Sequence, residues 1–292
     1  MKNIYKISQA FSFALVLAIC TMSCDDKHDF NNNDSAIDAN AAKLKFVHTA
    51  VGASGTNFTV NFSVDNKKVS AINVATGLPL GVGIGTTYPS PLNYALVSSG
   101  SQSMSVVIPA RAAVATTTTA PGIPAFTETP VLTAPLVTEA GKNYTSFLVG
   151  FAPTYAIHTV NDDFSMVNPS SANAFVRYIN LITNTPAAGY EVVISKTSPV
   201  PTVVLQTFSS IGYLGGNPAF VPIPTILDTE STPYTVQLRV TGTTVVVASI
   251  ANFVPRPGRT YTLFSRGRVG GLSNGAPSTT VNIPVLTFYT NR

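Results

Sequence analysis

The chain has 292 residues, 45% hydrophobic and only 10% charged, with a formal net charge of +4. That length gives room for two domains of ordinary size, and the weak positive charge lacks the dense basic footprint of a nucleic-acid module. Two cysteines, three histidines and no tryptophan leave little material for a disulfide framework, for imidazole chemistry or for tryptophan sugar platforms.

Residues 1–23 read as a signal peptide rather than as part of the fold. Lys2 and Lys6 form a basic start, and Phe11 to Cys20 form a mostly apolar run, the layout of a secretory signal. The run is too short for a stable membrane-spanning helix. It leads into Thr21-Met22-Ser23-Cys24, with a small residue directly before a cysteine. This stretch resembles a bacterial lipobox, which implies cleavage before Cys24 and acylation of its thiol and new amino terminus, palmitate being one acyl chain of that class. Thr21 stands where many lipoboxes carry leucine, and bulky Ile19 argues against Cys20 as the acceptor. An ordinary secretory signal with a free Cys24 is the alternative. Once Cys20 leaves with the signal, no internal disulfide can form.

Residues 24–42 read as a disordered acidic tether. Asp25, Asp26, Asp29, Asp34 and Asp38 alternate with asparagines and few large apolar groups, a composition that cannot offset the entropy of ordering. Acidic residues just after a lipidated cysteine resemble the surface-export signals of Bacteroidota lipoproteins, which implies display on the outer face of the outer membrane; a periplasm-facing anchor is the alternative. Asp34-Ser35-Ala36 resembles the short O-glycosylation motif of that phylum, with Ser35 as acceptor. His28 sits among aspartates, but a flexible tether cannot preorganise metal ligands. Loss of Lys2 and Lys6 takes the net charge from +4 to +2.

From Lys43 onward the pattern is β throughout. Asn57 to Val64 alternates polar and apolar, which predicts a half-buried strand with Phe58, Val60, Phe62 and Val64 inward. Asp65-Asn66 then predicts a hairpin turn into Lys67-Lys68-Val69. Tyr234 to Val240 alternates likewise, and Thr241-Gly242-Thr243 turns it into Val245-Val246-Val247. Gly81-Val82-Gly83-Ile84-Gly85 lacks the following helix that a phosphate loop needs, and reads as a strand connection.

Two decapeptides match. Gly141-Lys142-Asn143-Tyr144-Thr145-Ser146-Phe147-Leu148-Val149-Gly150 and Gly258-Arg259-Thr260-Tyr261-Thr262-Leu263-Phe264-Ser265-Arg266-Gly267 share Gly, a basic residue, Tyr, Thr, Phe and Gly at equal offsets. An internal repeat of this kind marks a duplicated fold element. Each copy reads as a glycine turn entering a strand, with the tyrosine hydroxyl returning to nearby backbone as in a tyrosine corner. The starts also match, Ala42-Lys43-Leu44-Lys45-Phe46-Val47-His48 against Ala174-Phe175-Val176-Arg177-Tyr178-Ile179-Asn180. The expectation is two tandem immunoglobulin-like antiparallel β-sandwich domains, 43–165 and 172–292, after the signal peptide and tether. Their linker runs from about Asn161-Asp162-Asp163 to Ser171-Ala172. Two longer loops, Ala113 to Thr129 and Gly212 to Pro224, read equally as recognition loops or tolerated insertions.

With both repeat units in view, the chain resembles tandem copies of domain of unknown function 4397. The resemblance rests on Lys45-Phe46-Val47-His48, Arg177-Tyr178-Ile179-Asn180-Leu181, the two Gly-x-x-Tyr-Thr motifs and Asp162-Asp163. It implies an immunoglobulin-like fold in an exported bacterial protein and assigns no activity, so no functional residues carry over.

An enzyme must find its chemistry here, and the inventory is thin. His48 and His158 fall on predicted strands, as packed or edge-exposed rather than catalytic residues. Glu191, Asp228 and Glu230, and Asp65, Glu128 and Glu139, are scattered, although a glycosidase pair needs only spatial proximity. Arg256, Arg259, Arg266 and Arg268 read as a solvated basic face rather than a polymer-binding patch. The expectation is a non-enzymatic lipoprotein without cofactor or metal, anchored through Cys24. Its role is adhesion, glycan binding or envelope structure, with a glycan or an envelope or extracellular protein as partner and no nucleic acid. Tyr88, Tyr94, Tyr155 and Tyr213 would have to serve as sugar platforms. A cryptic hydrolase or hydrolase accessory is the alternative, which a carboxylate pair in a cleft would favour. Gly141, Tyr144, Gly258 and Tyr261 are the structural repeat residues.

Overall fold

The structure, a computed structural model, describes residues 40–52, 57–69, 81–90, 92–110, 127–196, 202–217, 219–225, 233–271, 273 and 276–292. The signal peptide, Cys24, His28, Ser35, all but the end of the tether, the 111–126 part of the first long loop, Asp228 and Glu230 lie outside the described residues. Those described are all-β, with no helix among them.

The first half runs β1 (Ala41–His48), β2 (Asn61–Val64), β3 (Lys67–Lys68), β4 (Thr87–Tyr88), β5 (Ala95–Ser98), β6 (Gly100–Ile108), β7 (Thr129–Thr138), β8 (Asn143–Phe151) and β9 (Thr154–Asn161). The second runs β10 (Asn173–Asn180), β11 (Tyr190–Lys196), β12 (Val203–Ile211), β13 (Val221–Pro224), β14 (Tyr234–Val240), β15 (Val246–Phe253), β16 (Thr260–Arg266) and β17 (Val285–Thr290). β1 begins at Ala41, slightly ahead of the start expected at Lys43.

Each half is a two-layer sandwich. In the first, β4-β1-β8-β9, with β5 also on β1, faces β3-β2-β6-β7; in the second, β13-β10-β16-β17 faces β12-β11-β14-β15. The architecture is that of immunoglobulin-like domains, with its own strand order. Among the described strands pairing is antiparallel except between β1 and β8 and between β10 and β16, which run parallel. Leu44, Phe46, Phe62, Met104, Val106 and Leu148 fill the first core, and Val176, Tyr178, Val192, Ile194, Val236 and Leu263 fill the second.

Local sequence explains the hairpins. Asp65 and Asn66 take φ of 46° and 62°, the left-handed pair of a two-residue turn whose twist suits adjoining strands. The Asp65 carboxylate also accepts the Ser103 N–H at 2.9 Å. In β14 the inward apolar residues alternate with less buried ones, as period two requires, and in β2 Phe62 and Val64 flank the less buried Ser63 while Asn61 is buried as well.

The parallel pairs read differently. β1, β8, β10 and β16 are buried almost without alternation, the pattern of strands covered on both faces. Their outer cover is the other half. A third apolar cluster joins Val47, Phe147 and Val149 to Ile179, Leu181, Phe264 and Tyr289. The two sandwiches therefore stack sheet against sheet, and residues 40–292 form one compact unit.

Candidate functional site

The seam between the sandwiches is built from the repeated segments. Gly141 and Gly258 adopt φ of 74° and 68°, and their N–H groups donate to the Ala41 and Asn173 carbonyls at 2.8 and 2.9 Å. A side chain at Gly258 would put its Cβ 2.1 Å from the Pro169 carbonyl oxygen. Three residues on, the Tyr144 hydroxyl accepts the Glu139 N–H at 3.1 Å and the Tyr261 hydroxyl accepts the Arg256 N–H at 3.0 Å. These corners set the register that aims the next residues, Thr145 and Thr262, outward to the seam. Tyr144→Phe should lower the unfolding free energy by about 1 kcal/mol, the net worth of one hydrogen bond; an unshifted urea midpoint would show the hydroxyl to be idle.

Equivalent positions then meet face to face. Lys45, Thr145 and Asp162 of the first half correspond to Arg177, Thr262 and Asn291 of the second through the matched strand registers, and all six are buried. Five side chains close a ring. Arg177 Nη2 donates to Asp162 Oδ1. Asp162 Oδ2 accepts the Tyr94 hydroxyl at 2.7 Å, which accepts Asn291 Nδ2 at 3.2 Å. Asn291 Oδ1 accepts the Thr262 hydroxyl at 2.8 Å, and that hydroxyl accepts Arg177 Nε at 2.9 Å. Thr145 adds a second donor to Asp162 Oδ2 at 2.6 Å and accepts the Tyr289 hydroxyl at 3.2 Å. Arg177 Nη1 reaches the Asn161 carbonyl at 2.9 Å.

The electrostatics follow from this closure. Burial works against the Arg177 charge, but the Asp162 carboxylate, with help from Tyr289 and Tyr94, turns the balance and raises its pKa. Burial, and then Asp162, pushes the Tyr94 hydroxyl far above its ordinary range, which keeps it a neutral donor. Lys45 lies beside the ring, its Nζ 2.6 Å from the Asn93 carbonyl and 4.7 Å from the Tyr94 ring centre. Burial brings its pKa down to about 8, against the pull of Asp162.

Past the ring, the seam is apolar. Phe147 meets Phe264 at 6.0 Å and Tyr289 at 6.5 Å between ring centres. At the far end, His48 Nε2 lies 3.0 Å from the Phe58 carbonyl, so Nε2 carries the proton. Burial first, and the nearby Arg266 charge in smaller part, lower its pKa to about 4. His48 is therefore a neutral packed side chain. His158 is half-buried against Phe147, with its pKa lowered by burial.

Several residues singled out in the sequence have other roles. Asp162, read as the end of a strand leading into a linker, is the buried centre of the ring. The linker itself is docked, with Phe164 stacked on Phe220 at 5.3 Å. Arg256 and Arg259 are exposed, but Arg266 and Arg268 are not a solvated face: Arg266 lies against Gly85 and Arg268 over the Phe151 ring at 5.8 Å. The described part of the 212–224 segment is not a free loop, because Leu214 and Gly215 bond to Asn180 and β13 pairs with β10. Tyr88 and Tyr155 pack on the first core and Tyr94 belongs to the ring, which leaves Tyr213, at 37% exposure, as the one exposed tyrosine of that set. Lysine and arginine at equal offsets inside otherwise apolar strands were the visible signal of the ring; Tyr94 and Asn291 carried none.

A shallow groove of about 340 Å³ opens next to the ring, lined by Lys142, Asn143, Asp162, Asp163, Phe164 and Arg292, among others. It brings two carboxylates together, yet they make no acid–base pair. Both Asp162 oxygens are occupied. Asp163 is exposed, accepts the Ser165 N–H at 2.9 Å and has its pKa lowered mainly by that bond. Among the described residues no group of three or more His, Cys, Asp or Glu is placed to hold a metal.

No family model matches the chain, and no curated protein does. Among solved structures the chain is similar to the fimbrial anchor protein Mfa2 from Porphyromonas gingivalis, at 9% identity and a TM-score of 0.26, over 86% of this chain and 97% of that one. It is also similar to a provisionally assigned cell adhesion protein from Bacteroides fragilis, at 10% identity and a TM-score of 0.23, over 86% and 98% of the two chains. A third, from Parabacteroides distasonis, gives 9% identity and a TM-score of 0.19, over 85% and 98%. With TM-scores this low they stand as likenesses alone.

Proposed function

We propose that this protein is a non-enzymatic cell-envelope module: a rigid pair of sandwiches held on an outer membrane, facing outward, through acylated Cys24. The observation that carries the reading is the seam, where buried polar groups serve to join two rigid halves rather than to handle a substrate. A lipid anchor at one end and a stiff body at the other hold a surface at a fixed distance from a membrane. Within this reading, adhesion or envelope structure is favoured over glycan binding, because three of the four candidate sugar-stacking tyrosines are packed or hydrogen-bonded inside the fold. Membership of the tandem domain of unknown function 4397 family belongs to the same proposal, and the matched hydrogen bonds of the two repeat corners support it.

Fractionation of cells carrying Cys24→Ala tests the anchor. The variant should move from the detergent-extracted membrane fraction to the soluble fraction, while the wild type stays with membrane. Retention of the variant in membrane would overturn the lipid-anchor reading.

A further inference from the structure

The seam breaks its own symmetry at one end. Position 266 in β16 corresponds to 149 in β8, and the turn residue Gly85, whose N–H donates to the His48 carbonyl, corresponds to Leu214, whose N–H donates to the Asn180 carbonyl. On one side of the pseudo-two-fold the pair is apolar: Val149 is buried in the seam cluster and Leu214 packs against that cluster. On the other side the pair is Gly85 and Arg266. Packing alone is met by Leu and Val, so the Gly and Arg call for another account.

Arg266 is placed in a costly way. Its Nε is buried without a hydrogen-bond partner, and no ion pair reaches its guanidinium among the described residues. A buried donor left without an acceptor is unfavourable, the more so on a charged group. Gly85, at φ +77°, bares its backbone to the guanidinium, and a Cβ there would stand 2.9 Å from Nε. The His48 ring nearby is also incomplete, with Nδ1 buried and unpartnered among the described residues. Arg268 follows two residues on, past Gly267 at φ +101°, and its guanidinium reaches across the seam to Phe151. Among the described residues no carboxylate shifts Arg266 or His48.

We propose that Arg266, supported by Arg268, is the seat of an oxyanion-binding site at this end of the seam, taking a sulfate, phosphate or carboxylate group of a ligand. A planar guanidinium matches such groups with paired, charge-assisted hydrogen bonds. Arg266 is only part-buried, so the group enters from solvent while the Gly85 turn and Phe151 form its walls. The site spans both sandwiches and does not depend on the Cys24 anchor, so its test is separate from that of the envelope reading.

The test is calorimetric titration of the purified full-length chain with sodium sulfate, inorganic phosphate and acetate in turn, at constant ionic strength set with chloride. Saturable binding of at least one of the three is expected, and the strongest arm assigns the ligand group. Arg266→Met should weaken it at least about tenfold, the loss of a hydrogen bond to a charged group, while Arg259→Met, exposed at the other end of β16, leaves it unchanged. Should Arg266→Met fail to fold, an arginine Nε–H resonance of the wild type that moves saturably with the same anion, and stays put in chloride, decides the matter. Absence of saturable binding, equal binding by Arg266→Met, equal loss in Arg259→Met, or no such resonance would overturn the proposal.

Discussion

Asp162→Ala should destabilise the protein by about 3–5 kcal/mol, the cost of breaking a buried ion pair by removing one partner. Arg177 is fully buried and would keep its charge without the carboxylate that now sustains it. The Tyr94 and Thr145 hydroxyls would lose their common acceptor at the same time. The double variant Asp162→Ala/Arg177→Met should recover part of the loss, because no unpaired charge then remains in the seam. Equilibrium denaturation at neutral pH measures both. A single-variant loss below about 1 kcal/mol, the range of an exposed pair, would mean that water reaches the ring and that it does not hold the halves together.

The ring also marks where sequence reasoning runs out. Strands such as β2 and β14 are legible because one face is wet, so polar and apolar residues alternate and the pattern announces both the element and its inward side. The Asp65-Asn66 turn is legible for a local reason, two residues that tolerate positive φ. The duplicated Gly-x-x-Tyr-Thr segments are visible as identity at matched offsets, and the corner bonds of Tyr144 and Tyr261 give that identity a physical basis.

Asp162 shows the opposite case. An Asp-Asp pair after a strand carries the composition of a linker, and nothing within several residues reveals that Arg177, Tyr94 and Thr145 converge on it. The parallel pairing of β1 with β8 is hidden for the same reason, since the partners lie about a hundred residues apart and continuous burial has no period to detect. Chain proximity groups Arg266 with exposed arginines on an apparent shared face. Gly85, which decides its surroundings, belongs to the other sandwich.

Phe147→Ala should cost about 3–5 kcal/mol, the range for truncating a buried aromatic, and its effect should cross the seam. Phe147 is fully buried, and its ring sits between Phe264 and Tyr289 of the second sandwich and His158 of its own. Removing it opens a void that neither rigid sheet can collapse into, since each is held on its other face by its own core. Amide hydrogen exchange separates the outcomes. Joint stabilisation predicts faster exchange in β8 and also in β10 and β16, while the β2–β6 pairing on the far side of the first core retains its protection. Loss of protection confined to the first sandwich would mean that the halves fold as independent units. Faster exchange on both sides would make the apolar seam, beside the polar ring, the element that turns two sandwiches into one body.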